Sequence, residues 1–229
     1  ARPMPWTDTL ADRFKKDKGY SLLEKLPMLV QRAGPETVKV RCDFYDTVAA
    51  LYEEAWFKQI SAWCERHQLL WAGHTEEHVA HDPARQGDYF RTMRHVTVPG
   101  TDIHSYRYAR PRTIQAAEVK SAVSIAAMLN RERVMAEAFG GAGWGVTLEE
   151  VKHGVNLLAA LGVDMTVMHG FHYTLDSAEA ADDWPNSFSY HNPYWENFGE
   201  LSTYIARLSA LVNQSTATTT VGVLYPLTG

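Results

Sequence analysis

The hydrophobic and polar positions of this chain alternate between the spacing of amphipathic helices and the short apolar runs of buried strands. Between residues 40 and 67 the apolar positions recur at helical spacing, which predicts one long amphipathic helix. Other helices are predicted at residues 7–18, 21–30, 88–94 and 114–130, from Thr147 onward, and at 194–213. Thr147 with Glu150 forms the pattern of a capping box at the start of its helix. Short strands are predicted at residues 69–73, 95–98, 133–137, 164–169 and 219–225.

This alternation of strands and helices predicts an α/β fold with parallel pairing, either an open doubly wound sheet or a barrel. Four of the predicted strands end in polar or ionisable residues, and convergence on one sheet edge favours the mouth of a barrel. Four or five units are too few for an eight-stranded barrel, which takes about 250 residues. We therefore expect part of a (β/α)8 TIM-type barrel, its C-terminal half, over residues 1–215. Residues 216–229 are expected to begin a following domain or to form a linker strand.

The composition limits the classes of partner that the protein is expected to bind, but it does not indicate a cellular compartment. A net charge of -5, with no basic stripe, argues against a nucleic-acid partner. No apolar run reaches the roughly 20 residues of a membrane span. A half-barrel exposes a wide apolar edge, which predicts self-association or a separate barrel half as partner.

The strongest candidate for chemistry is Glu137, which stands at the end of a short apolar strand and before the glycine-rich run 140–143. Catalytic side chains of barrels come from the carboxyl ends of strands, so this carboxylate is a candidate acid, base or nucleophile. The competing interpretation is a Glu that caps the loop or pairs with a nearby arginine.

Other residues at the predicted strand ends are candidates for supporting roles. Glu76 and Glu77 follow the strand at 69–73 and are candidates for the second catalytic carboxylate, for calcium ligands, or for solvated loop acids. Asp102 would bind a hydroxyl or a metal, or belong to an ordinary turn at Gly100. The remaining substrate-binding candidates are aromatic or histidine side chains suited to hydrogen bonds and ring stacking: His74, Trp144, His169, His172, Tyr173 and His191.

Several segments, in order along nearly the whole chain, resemble glycoside hydrolase family 106, the α-L-rhamnosidases. They are Pro5-Trp6-Thr7 with Phe14-Lys15-Lys16 and Gly19-Tyr20, Ala72-Gly73-His74, and the stretches at 136–144, 147–152, 168–173 and 189–195. The resemblance implies strands five to eight of a barrel, followed by a strand that opens a further domain. It also implies a calcium-dependent, inverting hydrolase of plant or microbial rhamnosides. In the family a second carboxylate lies just upstream of the segment that matches Pro5, so we expect the isolated chain to be inactive.

Two functions of other classes stay open. His74-Thr75-Glu76-Glu77-His78 matches the H-x-x-E-H pattern of inverted zinc peptidases, although that motif works on a helix and here it follows a predicted strand. A non-catalytic, carbohydrate-binding barrel fragment is the other alternative. Zinc content and the presence of an upstream carboxylate-bearing strand would discriminate among these functions.

Overall fold

The computed structural model describes residues 4–75, 87–103, 113–216 and 218–225, and it divides the chain into two compact units. The first unit comprises Ala1–Leu69, Val79–His95 and Val223–Gly229, and the second comprises Leu70–His78 and Val96–Gly222. None of the helices in the described ranges is long and apolar enough to cross a membrane.

The first unit is helical. Its elements are α1 (Leu10–Lys18), a 3-10 turn (Leu23–Lys25), α2 (Leu26–Val30), α3 (Thr37–Tyr52), a π-helical turn (Glu53–Phe57), α4 (Lys58–Arg66) and α5 (Tyr89–Met93). Leu10 and Phe14, one turn apart on α1, pack with Phe44 of α3 in a small core. Gly19 ends α1 in the left-handed conformation (φ 81°), and its N–H donates to Lys15. The helix predicted over 40–67 is present, but the π turn interrupts it.

The π turn places a buried carboxylate among cations. The Glu53 side chain is 2% exposed, and its two oxygens accept from Arg91 Nε at 2.7 Å, from His95 Nε2 at 2.7 Å and from Arg94. Lys58 lies 3.7 Å away. Burial alone would raise the pKa of this carboxyl, but the hydrogen bonds from Arg94, His95 and Arg91 lower it to about 2. The cluster stabilises the junction of the π turn with α5.

The second unit is a four-stranded parallel sheet with helices, consistent with part of a barrel. The strands are β1 (Ala72–Gly73), β2 (Val98–Ile103), β3 (Met135–Ala138) and β4 (Met165–Met168), side by side in chain order. The helices are α6 (Thr113–Met128), α7 (Leu148–Leu161), α8 (Ala178–Asp182) and α9 (Phe198–Asn213), with a 3-10 turn at Trp195–Asn197. Ala136 and Ala138 are fully buried in a core that α6, α7 and α9 complete. The predicted capping box is confirmed: Glu150 N–H donates to Thr147 Oγ1, and Thr147 N–H donates to Glu150 Oε2.

Asp164 fastens the amino ends of β3 and β4 to α9. Its carboxylate accepts from Val134 N–H at 2.7 Å, from Arg133 Nε at 3.0 Å and from Asn213 Nδ2 at 2.9 Å. These contacts of Asp164 serve stability, because catalytic groups of such sheets lie at the opposite, carboxyl ends of the strands.

Three strand predictions were wrong in their bounds. The second strand was predicted at 95–98 with a turn at Pro99-Gly100, but β2 runs from Val98 through Ile103. Glycine and proline commonly end strands, whereas Gly100 is needed inside this one: a Cβ there would lie 2.4 Å from Met135 Cγ and 2.8 Å from Gly73 O. The turn interpretation of Asp102 is therefore wrong. The first strand is shorter than predicted, because only Ala72 and Gly73 pair with β2.

The third wrong prediction is the strand at 219–225. Residues 218–225 carry no regular secondary structure. Val221, Val223 and Leu224 are 73%, 84% and 91% exposed, so no neighbouring backbone or core holds them as a strand. The start of a further domain at residue 216 stays a prediction.

Candidate active site

Register in the sheet brings two predicted carboxylates together at its carboxyl edge. Asp102 is the direct partner of Glu137 between β2 and β3, and Glu137 is the direct partner of Val167 on β4. Side chains in register on parallel strands share one face of a sheet. Asp102 is 8% exposed, whereas the Glu137 side chain is 29% exposed. Solvent and small molecules therefore reach Glu137.

His74, the residue directly after β1, binds Glu137. Its Nε2 lies 2.7 Å from Glu137 Oε2, and its Nδ1 lies 2.9 Å from the Thr75 carbonyl oxygen. The carbonyl only accepts, so Nδ1 carries a proton and donates it. One further proton must then lie between Nε2 and the carboxyl group, which gives either an imidazolium beside a carboxylate or a neutral imidazole beside a carboxylic acid.

The described residues contain one group of side chains that could hold a metal ion, namely His74, Asp102 and Glu137. One donor atom from each lies within 4.8 Å of the others. Calcium takes six to eight oxygen ligands, and this set offers two carboxylates and one nitrogen that already binds Glu137. The three side chains do not fit calcium by themselves, since a mixed nitrogen and oxygen set suits a transition metal better. Calcium binding by this protein therefore stays a prediction.

The separation of the two acids limits their catalytic roles. Inverting glycosidases keep their catalytic carboxyl groups about 6.5–9.5 Å apart so that a water molecule fits between them. One carboxylate oxygen of Asp102 and one of Glu137 lie within 4.8 Å of each other, which is below that range. Asp102 is thus too close to be the second catalytic carboxylate of an inverting site centred on Glu137. It is placed to influence the charge of Glu137 and His74.

His169, predicted to bind substrate, lies where β4 ends beside β3. Its backbone N–H donates to Ala138 O at 2.9 Å. Its ring packs over Gly140, where an added Cβ would lie 3.4 Å from His169 Cγ. His169 Nδ1 is buried, and among the described residues it has no hydrogen-bond partner. The residue thus has unused polar capacity at the correct edge of the sheet.

Trp144 and His172 link the loops that follow β3 and β4. Trp144 Nε1 donates to Ala181 O at 2.8 Å, and the His172 Nε2 lies 3.0 Å from Asp183 O. The two rings are 6.3 Å apart. Both side chains therefore help to shape the loops, and sugar contact by either one stays a prediction. Tyr173 is 94% exposed, so it makes little contact within the unit.

The remaining candidate site residues are His191, which the structure describes, and Glu76 and Glu77, which it does not. His191 lies in the loop before α9, where its Nδ1 is 2.9 Å from Ser189 Oγ. Glu76 and Glu77 lie outside the described residues, as does the rest of the H-x-x-E-H pattern beyond Thr75. His74 and Thr75 themselves are not helical, and His74 binds Glu137 of another strand. That arrangement gives no support to the zinc-peptidase alternative.

A family model described as α-L-rhamnosidase, glycosyl hydrolase family 106, matches residues 1–227. The chain belongs to the α-L-rhamnosidase family. A comparison with curated proteins finds no match.

One solved structure has a fold similar to that of this α-L-rhamnosidase family member. It is the rhamnosidase from Novosphingobium sp. PP1Y, which is similar with a TM-score of 0.72 and 22% sequence identity. The match covers 91% of this chain and 20% of the solved chain, so this chain spans about a fifth of that protein's length. At this identity the likeness establishes the fold, and the predicted family resemblance is confirmed.

The sequence pattern did not predict the role of two buried serines of this family member. Ser187 is fully buried and Ser189 is 5% exposed, and their hydroxyl oxygens lie 2.8 Å apart on the path to His191. In the sequence they flank Phe188 within a loop segment, which gives no local sign of burial. Their burial is a result of the structure, and buried polar side chains are hydrogen-bonded as a rule.

Proposed function

We propose that this chain contributes a catalytic carboxylate to the hydrolysis of α-L-rhamnosides, with Glu137 as that group. The observation that carries the proposal is the position of Glu137 at the carboxyl edge of a parallel sheet, partly exposed and 2.7 Å from His74 Nε2, in a chain of the α-L-rhamnosidase family. The solved relative is itself named a rhamnosidase. A carbohydrate is accordingly the proposed substrate.

In this proposal Glu137 acts as one member of a pair. An imidazolium at His74 would leave Glu137 ionised, which suits a base that activates water or a nucleophile that attacks carbon. The closeness of Asp102 excludes it as the partner in an inverting reaction, so the partner would be Glu76, Glu77 or a carboxylate from another segment. We propose inversion on the grounds of the family resemblance.

We further propose that the chain alone is inactive and needs the remaining half of a barrel. The described sheet has β1 and β4 at its edges, and β4 is only partly buried, with Val167 38% exposed. β2, by contrast, is buried along its whole length. Light scattering tests the exposed edge: self-association supports it, and a monomer at all concentrations counts against it.

The experiment compares this chain with a protein extended upstream through the preceding strand, using a panel of aryl glycosides led by the α-L-rhamnoside. We expect hydrolysis of the α-L-rhamnoside by the extended protein and none by the chain alone. Proton NMR of the first product gives the stereochemistry, and β-L-rhamnose is the expected product of inversion. Hydrolysis of no glycoside by the extended protein would favour the carbohydrate-binding alternative.

The metal requirement is tested separately on the extended protein. Removal of calcium with a chelator, followed by titration with calcium or zinc, reports on activity and on bound metal. Recovery with calcium alone supports the predicted calcium dependence. Stoichiometric zinc with peptidase activity would support the other alternative.

A further inference from the structure

The loop between β4 and α9 contains a short chain of hydrogen bonds that ends at a histidine. The backbone N–H of His172 donates to Ser187 Oγ at 3.2 Å. Ser187 Oγ lies 2.8 Å from Ser189 Oγ, and Ser189 Oγ lies 2.9 Å from His191 Nδ1. All of these residues belong to the second unit. This series of hydrogen bonds therefore connects the segment directly after β4 with the imidazole ring of His191.

The direction of these bonds follows from what each atom is able to donate. The His172 N–H can only donate, so Ser187 Oγ accepts from it. Ser187 is fully buried, and Ser189 Oγ is the other partner of its hydroxyl among the described residues. The Ser187 proton therefore goes to Ser189, because the reverse direction would leave a buried hydroxyl proton without an acceptor. Ser189 in turn donates its own proton to His191 Nδ1.

A histidine that accepts at Nδ1 carries its proton on Nε2 when it is neutral. The His191 ring is also held in place, since its centroid lies 4.1 Å from that of Tyr190. Tyr190 OH donates to Tyr173 O at 3.0 Å, and Asn192 N–H donates to Ser189 O at 2.9 Å. Ring and tautomer are thus both fixed before any ligand binds.

A backbone hydrogen bond joins the loop that carries His191 to the segment directly after β4, at the carboxyl end of the sheet. Phe188 N–H donates to Gly170 O at 2.8 Å, and Gly170 lies two residues beyond the end of β4. His191 is partly exposed, whereas the serines that precede it are buried. A partly exposed histidine whose ring is held in one orientation is the kind of group that binding sites use to orient hydroxyl-rich ligands.

We propose that Ser187 and Ser189 fix His191 as the Nε2–H tautomer and that this N–H donates to an oxygen atom of the bound glycoside. His191 would then be a specificity-determining residue, and the two serines are positioning residues that act through it. The proposal rests on the proposed glycosidase function for its ligand. The tautomer itself does not depend on that function.

The first test reads the tautomer directly. Long-range proton–nitrogen correlation NMR of the histidine rings in the chain, assigned with the H191Q variant, is expected to show His191 with an unprotonated Nδ1 and a protonated Nε2. The S189A variant should lose this preference, whereas S121A, a serine on the exposed side of α6 that bonds within its own helix, should keep it. A protonated Nδ1 in the wild-type chain would overturn the proposal.

The second test uses kinetics of the extended protein on the aryl α-L-rhamnoside. The amide nitrogen of Gln reaches the position of His Nε2, whereas that of Asn reaches the position of Nδ1, so the two variants separate the two ring nitrogens. We expect H191N to raise KM about five- to tenfold, the effect of one lost hydrogen bond, and H191Q to retain most of the wild-type affinity. S189A should raise KM by a smaller factor, with kcat little changed.

The outcomes distinguish this proposal from the proposed function. If the extended protein hydrolyses the rhamnoside but H191N and H191Q both behave like the wild type, the role of His191 is wrong and the glycosidase function stands. If no glycoside is hydrolysed, binding of L-rhamnose measured by calorimetry replaces KM as the readout. Equal L-rhamnose affinity of wild type and H191N would then overturn the role of His191.

Discussion

Glu53 and Glu137 are carboxylates of the same kind in the two compact units, and their surroundings are opposite. The Glu53 side chain is 2% exposed and is bonded by two arginines and a histidine. The Glu137 side chain is 29% exposed, is bonded by one histidine and has a second acid within 4.8 Å. Surplus cations make Glu53 a permanent anion that serves the fold. A single shared proton and access to solvent leave Glu137 free to take part in chemistry.

The largest effect on stability is expected from Glu53→Gln. The substitution keeps the size of the side chain and removes its charge, so Arg91, Arg94 and His95 lose the anion between them. Loss of one partner of a buried ion pair costs about 3–5 kcal/mol. Arg94 is half exposed and regains water, so we expect the lower end, about 3 kcal/mol in urea unfolding.

The matched control for this comparison is Glu54→Gln, the next residue along the π turn. Glu54 is 44% exposed and pairs with Arg13, which is 27% exposed. Exposed pairs of this type contribute less than about 1 kcal/mol. Equal losses for the two variants would remove the distinction between a buried anion and a solvated one.

The pH dependence of stability should carry the signature of Glu53. Its pKa is about 2 in the folded protein, below the ordinary value of 4.5. A depressed pKa contributes stability that is present above the ordinary value and is lost as the pH falls through the folded value. The difference in unfolding free energy between wild type and Glu53→Gln should therefore be constant above about pH 5 and shrink between 4.5 and 2. A difference that stays constant to pH 2 would contradict the assigned pKa.

Gly100→Ala tests the sheet that carries the other carboxylate. The added Cβ would lie 2.4 Å from Met135 Cγ and 2.8 Å from Gly73 O, and the backbone oxygen cannot move without shifting β1. We expect a loss of about 1–3 kcal/mol, the usual cost of overpacking. Gly199→Ala on α9 is the control, because nothing lies within 4 Å of its added Cβ. It should be neutral or slightly stabilising.

The next expected effect is on activity and concerns His74. His74→Ala removes the donor to Glu137 Oε2, and a hydrogen bond to a charged group contributes about 1.5–3 kcal/mol. We expect kcat/KM of the extended protein on the aryl α-L-rhamnoside to fall at least about tenfold. His74→Gln keeps an N–H near the position of Nε2 and should lose less. Equal losses in the two variants would show that the donated hydrogen bond is not what matters.

The periodic parts of the fold were predictable from the sequence. The Glu137 strand, the capped helix at Thr147 and the parallel arrangement follow from local pattern, because each buries a regular apolar face. The bounds of β2 did not follow, since Gly100 is set by the close approach of Met135 from another strand. Residues 219–225 have a strand-like composition but no partner in the described structure to pair with.

The site shows the same division between local and long-range information. Convergence of Asp102, Glu137 and His74 at one edge was predictable, because parallel strands present their carboxyl ends together. Contacts across long sequence separations were not predictable: the bond of His74 to Glu137 spans 63 residues, and the bond of Glu53 to His95 spans 42. The hydrogen bonds of Ser187 and Ser189 were not predictable either, because serines in a loop are usually exposed to solvent.

The measurement that tests the account most directly is Glu137→Gln in the extended protein, with kcat/KM on the aryl α-L-rhamnoside and the urea midpoint determined on the same preparation. Loss of a group that acts in proton transfer costs about 10²–10⁴ in rate, so we predict a fall of about 10³-fold with an unfolding midpoint close to that of the wild type. Wild-type activity in the variant, or a loss of stability as large as that of Glu53→Gln, would contradict a catalytic role for Glu137.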